Sequence, residues 1–150
     1  MEYMKVAYKQ AQKALEIDEV PVGAVIVKNG KVIAKAYNKK ETTNDPLGHA
    51  ELLVIKKACK KLNNWRLIDC ELYVTLEPCA MCVGAIIHSR IKKVYYGAKD
   101  LKAGALGGLF NLMDQQGFNH YFQSEYREMS ECSLVLKEYF KNKRKRLKNN

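Results

Sequence analysis

Two short segments carry side chains that could hold a metal and move protons: His49-Ala50-Glu51 and Pro78-Cys79-Ala80-Met81-Cys82. Zinc takes nitrogen and sulfur donors in a tetrahedron, and a catalytic zinc keeps one position open for water. His49, Cys79 and Cys82 supply three protein ligands and leave that position free. Cys79 and Cys82 are three residues apart, a spacing that places them on one face of a helix. Pro78 favours a helix start, where its missing N–H costs nothing. The helix dipole and a metal would both favour thiolate over thiol there.

Glu51 is the candidate proton carrier. Residues two apart on a regular helix do not face the same way. His49 and Glu51 therefore converge only if His49 sits at the start of its helix with non-helical geometry, which Pro46 and Gly48 just before it suit. Glu51 would then approach a zinc-activated water without binding the metal. Zinc brings the pKa of such a water toward about 7. Glu51 takes its proton, the hydroxide attacks an amidine-like carbon, and Glu51 returns protons to the ring nitrogen and the departing amine. Help of this acid–base kind is worth roughly 10²–10⁴-fold. The competing reading is a zinc site that only holds the fold. Such sites usually have four protein ligands, and no clear fourth is present. Cys59, Cys70 and Cys132 are lone cysteines in or beside apolar stretches and read as small core residues.

The elements that must position these residues follow from patterning. Apolar residues at Val6, Ala7, Ala11, Ala14 and Leu15 predict an amphipathic helix from about Tyr3 to Ile17. Val22–Val27 and Val32–Tyr37 are β-branched-rich and flank Asn29-Gly30, a strong hairpin signal. Asn38 to Gly48 is polar and reads as a loop. A helix is predicted from His49 to Leu62, a strand from Cys70 to Leu76, a helix from Pro78 to His88 and a short strand from Lys93 to Gly97. A glycine-rich loop from Asp100 to Gly108 precedes a short helix around Leu109 to Gln115. A long basic helix covers about 128–147, with an apolar stripe of Cys132, Val135, Leu136, Tyr139 and Phe140. Strands alternating with helices in the second half suggest right-handed βαβ crossovers. The whole reads as an α/β fold with a mixed sheet and helices on both faces.

The chain has 150 residues, the usual size of one domain, with 47% hydrophobic and 28% charged residues. Its 26 Lys+Arg against 16 Asp+Glu give a net charge of +10. That excess suits an anionic partner such as nucleic acid or a membrane surface, or simply many solvated lysines. No signal peptide or bilayer-spanning run is visible, so a cytoplasmic location is expected. An odd cysteine count with one CxxC pair points, in a reducing compartment, to metal or redox chemistry rather than to a disulfide framework.

The His-x-Glu and Pro-Cys-x-x-Cys pair is the signature of the zinc nucleobase deaminases. The likeness runs further, through Glu19-Val20-Pro21-Val22-Gly23-Ala24, Asn44-Asp45-Pro46, Tyr73-Val74-Thr75-Leu76-Glu77-Pro78-Cys79, His88-Ser89-Arg90-Ile91, and Gly97-Ala98-Lys99-Asp100 with Gly104-Ala105. From about Tyr3 to Arg146 the chain resembles the bacterial tRNA-specific adenosine deaminases. The resemblance implies one zinc-dependent deaminase domain over residues 1–150. Its fold would be the three-layer α/β/α cytidine deaminase-like fold, with about five strands and one zinc ion per subunit. It implies conversion of adenosine to inosine at the wobble position of a tRNA anticodon, by hydrolytic attack at C6 with release of ammonia, in a homodimer.

By the same resemblance Asn38 matches an asparagine that hydrogen-bonds the flipped base; on its own it reads as a turn residue after a strand. Ala50 and Cys79 match positions whose backbone N–H groups bracket the reacting centre. Asp100 and Lys102 match a loop that touches the anticodon stem-loop. On the C-terminal helix, Lys143 and Arg144 are candidates for phosphate, with Tyr139 and Phe140 assigned mainly to packing. Where the family usually has Thr-Ala before the zinc histidine, this chain has Leu47-Gly48. Gly48 is expected to loosen the helix start, and Leu47 removes a hydroxyl near the substrate loop. The run Ala105-Leu106-Gly107-Gly108 also departs from the usual small residues. Two other functions use a similar zinc site. A free nucleobase or nucleotide deaminase, of guanine or cytosine type, needs no extended basic tail. A non-catalytic zinc RNA-binding module has no use for Glu51.

Overall fold

The computed structural model describes residues 2–149. Its elements are α1 (Glu2–Glu16), β1 (Gly23–Lys28), β2 (Lys31–Tyr37), α2 (Ala50–Leu62), β3 (Cys70–Val74), α3 (Ala80–Ser89), β4 (Lys93–Tyr96), a 3-10 turn (Leu112–Asp114), β5 (Gln123–Tyr126) and α4 (Ser130–Lys148). The five strands form one mixed sheet in the order β2-β1-β3-β4-β5. β1 is antiparallel to both β2 and β3, whereas β3, β4 and β5 run parallel. This is the expected α/β architecture, with five strands.

The hairpin turns at Asn29 and Gly30, both with positive φ (52° and 75°), as a tight two-residue turn requires. β1 alternates between two cores. Ala24 and Ile26 join Leu72, Val74 and Val94 against Ala50, Val54 and Ala58 of α2 and Val83 and Ile86 of α3. Val25 and Val27 join Tyr73 and Tyr95 against Met4 and Ala7 of α1 and Cys132 of α4. The period of two in a strand thus separates the layers. Helices α2 and α3 cover one face, and α1 the other together with the first turn of α4, while Val135 and Leu136 further along α4 reach the first core.

Three features of the elements differ from the sequence reading. The buried stripe of α1 is Met4, Ala7, Ala11 and Ala14, while Leu15 is exposed. α3 begins at Ala80 rather than Pro78, because Cys79 is still extended. β5 has no counterpart among the predicted elements: Gln-Ser-Glu-Tyr is a largely exposed edge strand without an apolar period, held by its ladder to β4.

Because β1 is antiparallel to both neighbours, β2 and β3 run the same way, and so does β4. Their C-terminal ends, at Tyr37, Val74 and Tyr96, lie at one end of the sheet. The segments 38–49, 75–79 and 97–108 leave from that end. Open α/β sheets place ligands outside the carboxyl ends of strands.

Candidate metal centre and active site

His49 and Cys79 occupy equivalent places: each is the N-cap residue of a helix. His49 precedes α2 with φ −79° and ψ 142°, and Cys79 precedes α3 with φ −78° and ψ 175°. Neither uses its side chain to cap its helix, so both are free to turn toward each other. His49 therefore has the non-helical start that convergence with Glu51 requires. Cys82 stands three residues into the turn that Cys79 opens.

The imidazole Nδ1 of His49 lies 3.8 Å from Cys79 Sγ and 3.6 Å from Cys82 Sγ. All three donor atoms lie within 4.8 Å of one another. A tetrahedral zinc with ordinary Zn–N and Zn–S bonds separates its nitrogen and sulfur donors by about 3.6 Å. The donor set and its spacing fit a zinc ion with three protein ligands. Among the described residues this is the one group of His, Cys, Asp and Glu that could hold a metal.

The electrostatics of the cluster are those of a proton-sharing site. Hydrogen bonding from Cys82, then from His49, lowers the Cys79 thiol to about 4 against the penalty of burial. Cys82 moves the other way, driven up first by its hydrogen bond to Cys79, then by burial and by the charge of Glu51. The Cys79 contact also raises the His49 imidazole. Binding a metal would require both thiols to give up their protons.

Glu51 is 4% exposed on the first turn of α2. Burial raises its carboxyl to about 7, while the positive charge of His49 pulls it down. A bound dication would add to that pull. A carboxyl that exchanges protons near neutral pH is the kind suited to acid–base work.

Asn38 follows β2, and its Oδ1 accepts the backbone N–H of Ala50 at 2.8 Å. The two residues assigned to the substrate by resemblance thus hold each other. The Ala50 N–H is engaged by Asn38, and it is the Asn38 amide NH₂ that remains to donate elsewhere.

Gly48 behaves differently from expectation. Its carbonyl accepts from Lys39 N at 2.9 Å and its N–H donates to Asp45 O at 3.0 Å. A Cβ at Gly48 would meet Lys40 N at 2.8 Å and Lys40 Cα at 2.9 Å. The residue is buried and tightly fitted, so the helix start is fixed rather than loosened. Leu47, in contrast, is 50% exposed.

Asp100, Lys102 and Arg144 come together along one groove of about 680 Å³, lined also by Leu101, Phe140 and Lys137. The Asp100 carboxylate folds back on its own loop, with Oδ1 accepting from Lys102 N and Ala103 N at 3.1 Å each. Tyr139 packs as expected, buried, with its hydroxyl donating to Asp18 O. Phe140 does not: it stands 41% exposed. Lys143 is not among the lining residues; its ammonium lies 5.7 Å from the Tyr139 ring centre.

Two buried carboxylates had no role assigned from sequence. Glu19 accepts from Glu41 N at 3.2 and 3.0 Å and from Thr42 N at 3.0 Å, and so ties down the loop that follows Asn38. Glu77 accepts three backbone N–H groups of the segment 100–108. The available signal was a single acid set among apolar residues, as in Val74-Thr75-Leu76-Glu77-Pro78. A buried acid must find donors.

A family described as MafB19-like deaminase matches residues 1–144. A tRNA-specific adenosine deaminase of Aquifex aeolicus (strain VF5) is 49% identical over 142 residues, covering 95% of this chain and 94% of that protein. One solved structure comes from studies of A-to-I editing by tRNA A34 deaminases at the wobble position of transfer RNA. It matches with a TM-score of 0.84 and 41% identity over 90% of this chain and 99% of the other. A guanine deaminase from Bacillus subtilis matches with a TM-score of 0.64 and 35% identity, covering 94% and 92% of the two chains.

Proposed function

Because the chain belongs to the MafB19-like deaminase family and, within it, to the tRNA-specific adenosine deaminases, we propose that it hydrolytically deaminates adenosine to inosine at the wobble position of a tRNA anticodon, releasing ammonia. The observation that carries the chemistry is the meeting of His49, Cys79 and Cys82 at two helix starts beside the buried carboxyl of Glu51.

His49 Nδ1 and the sulfurs of Cys79 and Cys82 would hold one zinc ion per subunit. When bound, zinc acidifies a water and so supplies a nucleophile near neutral pH. The Glu51 carboxylate accepts one proton from the attacking water and passes it to N1 of the adenine, then takes the proton of the new C6 hydroxyl and passes it to the departing amine. A C6–O bond forms, the C6–N bond breaks, and ammonia leaves. The Asn38 amide NH₂ donates to the base. The Asn38–Ala50 hydrogen bond keeps the start of α2, and with it His49 and Glu51, in place.

The groove between segment 99–103 and α4 takes the RNA beside the reacting nucleotide. Phe140 offers an exposed ring on which a base can stack, and Lys102 and Arg144 offer charge to phosphates. Lys143 joins them from the same helix. Exposed apolar side chains at Leu47, Met81, Leu109 and Phe110 lie in the segments next to the site and support a homodimer. No helix among the described residues is long and apolar enough to cross a membrane. We place the protein in the cytoplasm, with its tRNA substrate.

The test is to incubate the zinc-loaded protein with an anticodon stem-loop carrying adenosine at the wobble position, then digest the RNA and analyse nucleosides by mass spectrometry. Inosine is expected, with free adenosine, cytidine and guanine unchanged. Turnover of guanine with the stem-loop untouched would favour a free-base deaminase, the reading that the likeness to the guanine deaminase suggests.

A further inference from the structure

Glu77 ends the segment between β3 and the metal-binding turn. It is 2% exposed. Its backbone N–H donates to Ala98 O at 2.8 Å, joining the ends of β3 and β4. Its carboxylate reaches into the segment 100–108 and accepts there from Asp100 N at 3.2 Å through Oε1. Through Oε2 it accepts from Leu106 N at 3.0 Å and Gly108 N at 2.8 Å. All three partners are donors, which an ionised carboxylate satisfies with its two oxygens.

The segment is shaped around that carboxylate. A Cβ at Gly108 would run into the Asp100 carbonyl oxygen and would meet Glu77 Oε1 at 2.7 Å, and a Cβ at Gly104 would run into the same carboxylate. The other side of the segment is fastened to the metal-binding turn. Ala105 N donates to Pro78 O at 2.9 Å, and Gly104 forms a bridge with Cys79 itself. Asp100 and Lys102, on the groove, are therefore joined to the Cys79 turn through one buried side chain and one short backbone bridge.

We infer that Glu77 is a positioning residue that seats the RNA-facing segment 100–108 on the turn carrying Cys79, so that the substrate groove and the metal centre keep a fixed relation. Its role in substrate handling rests on the tRNA deaminase reading above; its role in holding the segment does not. The split of its hydrogen bonds makes the inference specific. A carboxamide has one oxygen, so Glu77→Gln can keep the Leu106 and Gly108 bonds or the Asp100 bond, but not both sets. Its NH₂ must then face an N–H donor. The metal ligands are untouched by that change.

The experiment compares wild type, Glu77→Gln and Gly108→Ala for zinc content, for amide hydrogen exchange across residues 100–108, and for kcat and KM on the wobble-adenosine stem-loop. Loss of one such set of hydrogen bonds is expected to raise KM, and exchange either at Asp100 or at Leu106 and Gly108, by about tenfold. Zinc content is expected to stay at wild-type stoichiometry and kcat to change little. Gly108→Ala presses on both the Asp100 carbonyl and the Glu77 carboxylate from the loop side. It should give the same KM signature, and if Glu77→Gln does not fold, Glu77→Asp, which draws both oxygens back by one methylene, decides the matter by the same readouts. Unchanged exchange, a fall in kcat at constant KM, or loss of zinc in folded protein would overturn the inference. If wild type itself leaves the stem-loop unchanged, the functional reading fails. The exchange measurement then still decides whether Glu77 seats the segment.

Discussion

Asn38 Oδ1 accepts the backbone N–H of Ala50 at 2.8 Å, so the residue that closes β2 also satisfies the first turn of α2. The N-cap residue His49 does not use its side chain for this. The capping is thus delegated across 12 residues of chain, and the imidazole stays available to a metal.

This division separates two roles of Asn38 experimentally. Asn38→Ala removes acceptor and donor together and is expected to cost about 1 kcal/mol of stability, as loss of a helix cap does, along with activity. Asn38→Asp keeps an acceptor for Ala50 and places negative charge at a helix N-terminus, where it is favoured. Its thermal midpoint should stay near wild type while KM for the stem-loop rises. Calorimetry together with steady-state kinetics separates the two; a large loss of stability in Asn38→Asp would refute the capping role.

Glu51→Gln tests the proton carrier. The variant keeps His49, Cys79 and Cys82 and is expected to retain one zinc per chain, measured by inductively coupled plasma mass spectrometry. Deamination should fall by roughly 10²–10⁴-fold or more. Metal loss in this variant would mean that Glu51 helps hold the ion, and retained activity would remove it from the chemistry.

RNA binding should weaken steeply with salt, because each neutralised phosphate releases counterions. Lys102→Ala and Arg144→Ala should each reduce the slope of log affinity against log salt by about 1. Phe140→Ala should weaken binding by about 1–3 kcal/mol with the slope unchanged, since a stacked base carries no ionic release. Fluorescence anisotropy with a labelled stem-loop at several salt concentrations measures all three. A salt response that no single substitution alters would place the RNA elsewhere.

Cys132 gives a pH prediction independent of the metal. Burial, then the charge of Glu131, raises its thiol from 9.0 to about 12. The folded protein holds this proton more tightly than the unfolded chain does. The contribution is therefore complete below pH 9 and is lost as pH rises toward 12. Denaturant titrations of wild type and Cys132→Ala should show a difference in stability that is constant below pH 9 and shrinks above it. A difference that is flat through that range would mean the thiol titrates normally in the fold.

The cluster of His49, Cys79 and Cys82 was legible because zinc chemistry fixes both residue type and spacing, and because Pro46 and Gly48 signalled an irregular helix start before His49. The α/β architecture was legible through apolar periods in β1 and α2 and through Asn29-Gly30. β5 was not, since Gln123–Tyr126 owes its strand conformation to pairing with β4 and has almost no buried face. Glu19 and Glu77 were present in recognisable motifs, yet their meaning depends on N–H groups more than 20 residues away in the chain. Phe140 was taken as packing because it continues the apolar stripe of α4; the stripe ends in the core at Tyr139, one residue earlier.

Gly48 bears on how the loop 38–48 could be exchanged with that of a relative. With Lys39 and Asp45 bonded to its backbone and no space for a Cβ above Lys40, it is matched to the path of the whole stretch from Asn38. Replacing Leu47-Gly48 alone by the family's usual Thr-Ala would press a methyl group against main chain that cannot rotate away. A graft succeeds only as a block, residues 38–48 moving together with the Glu19 contacts that hold them.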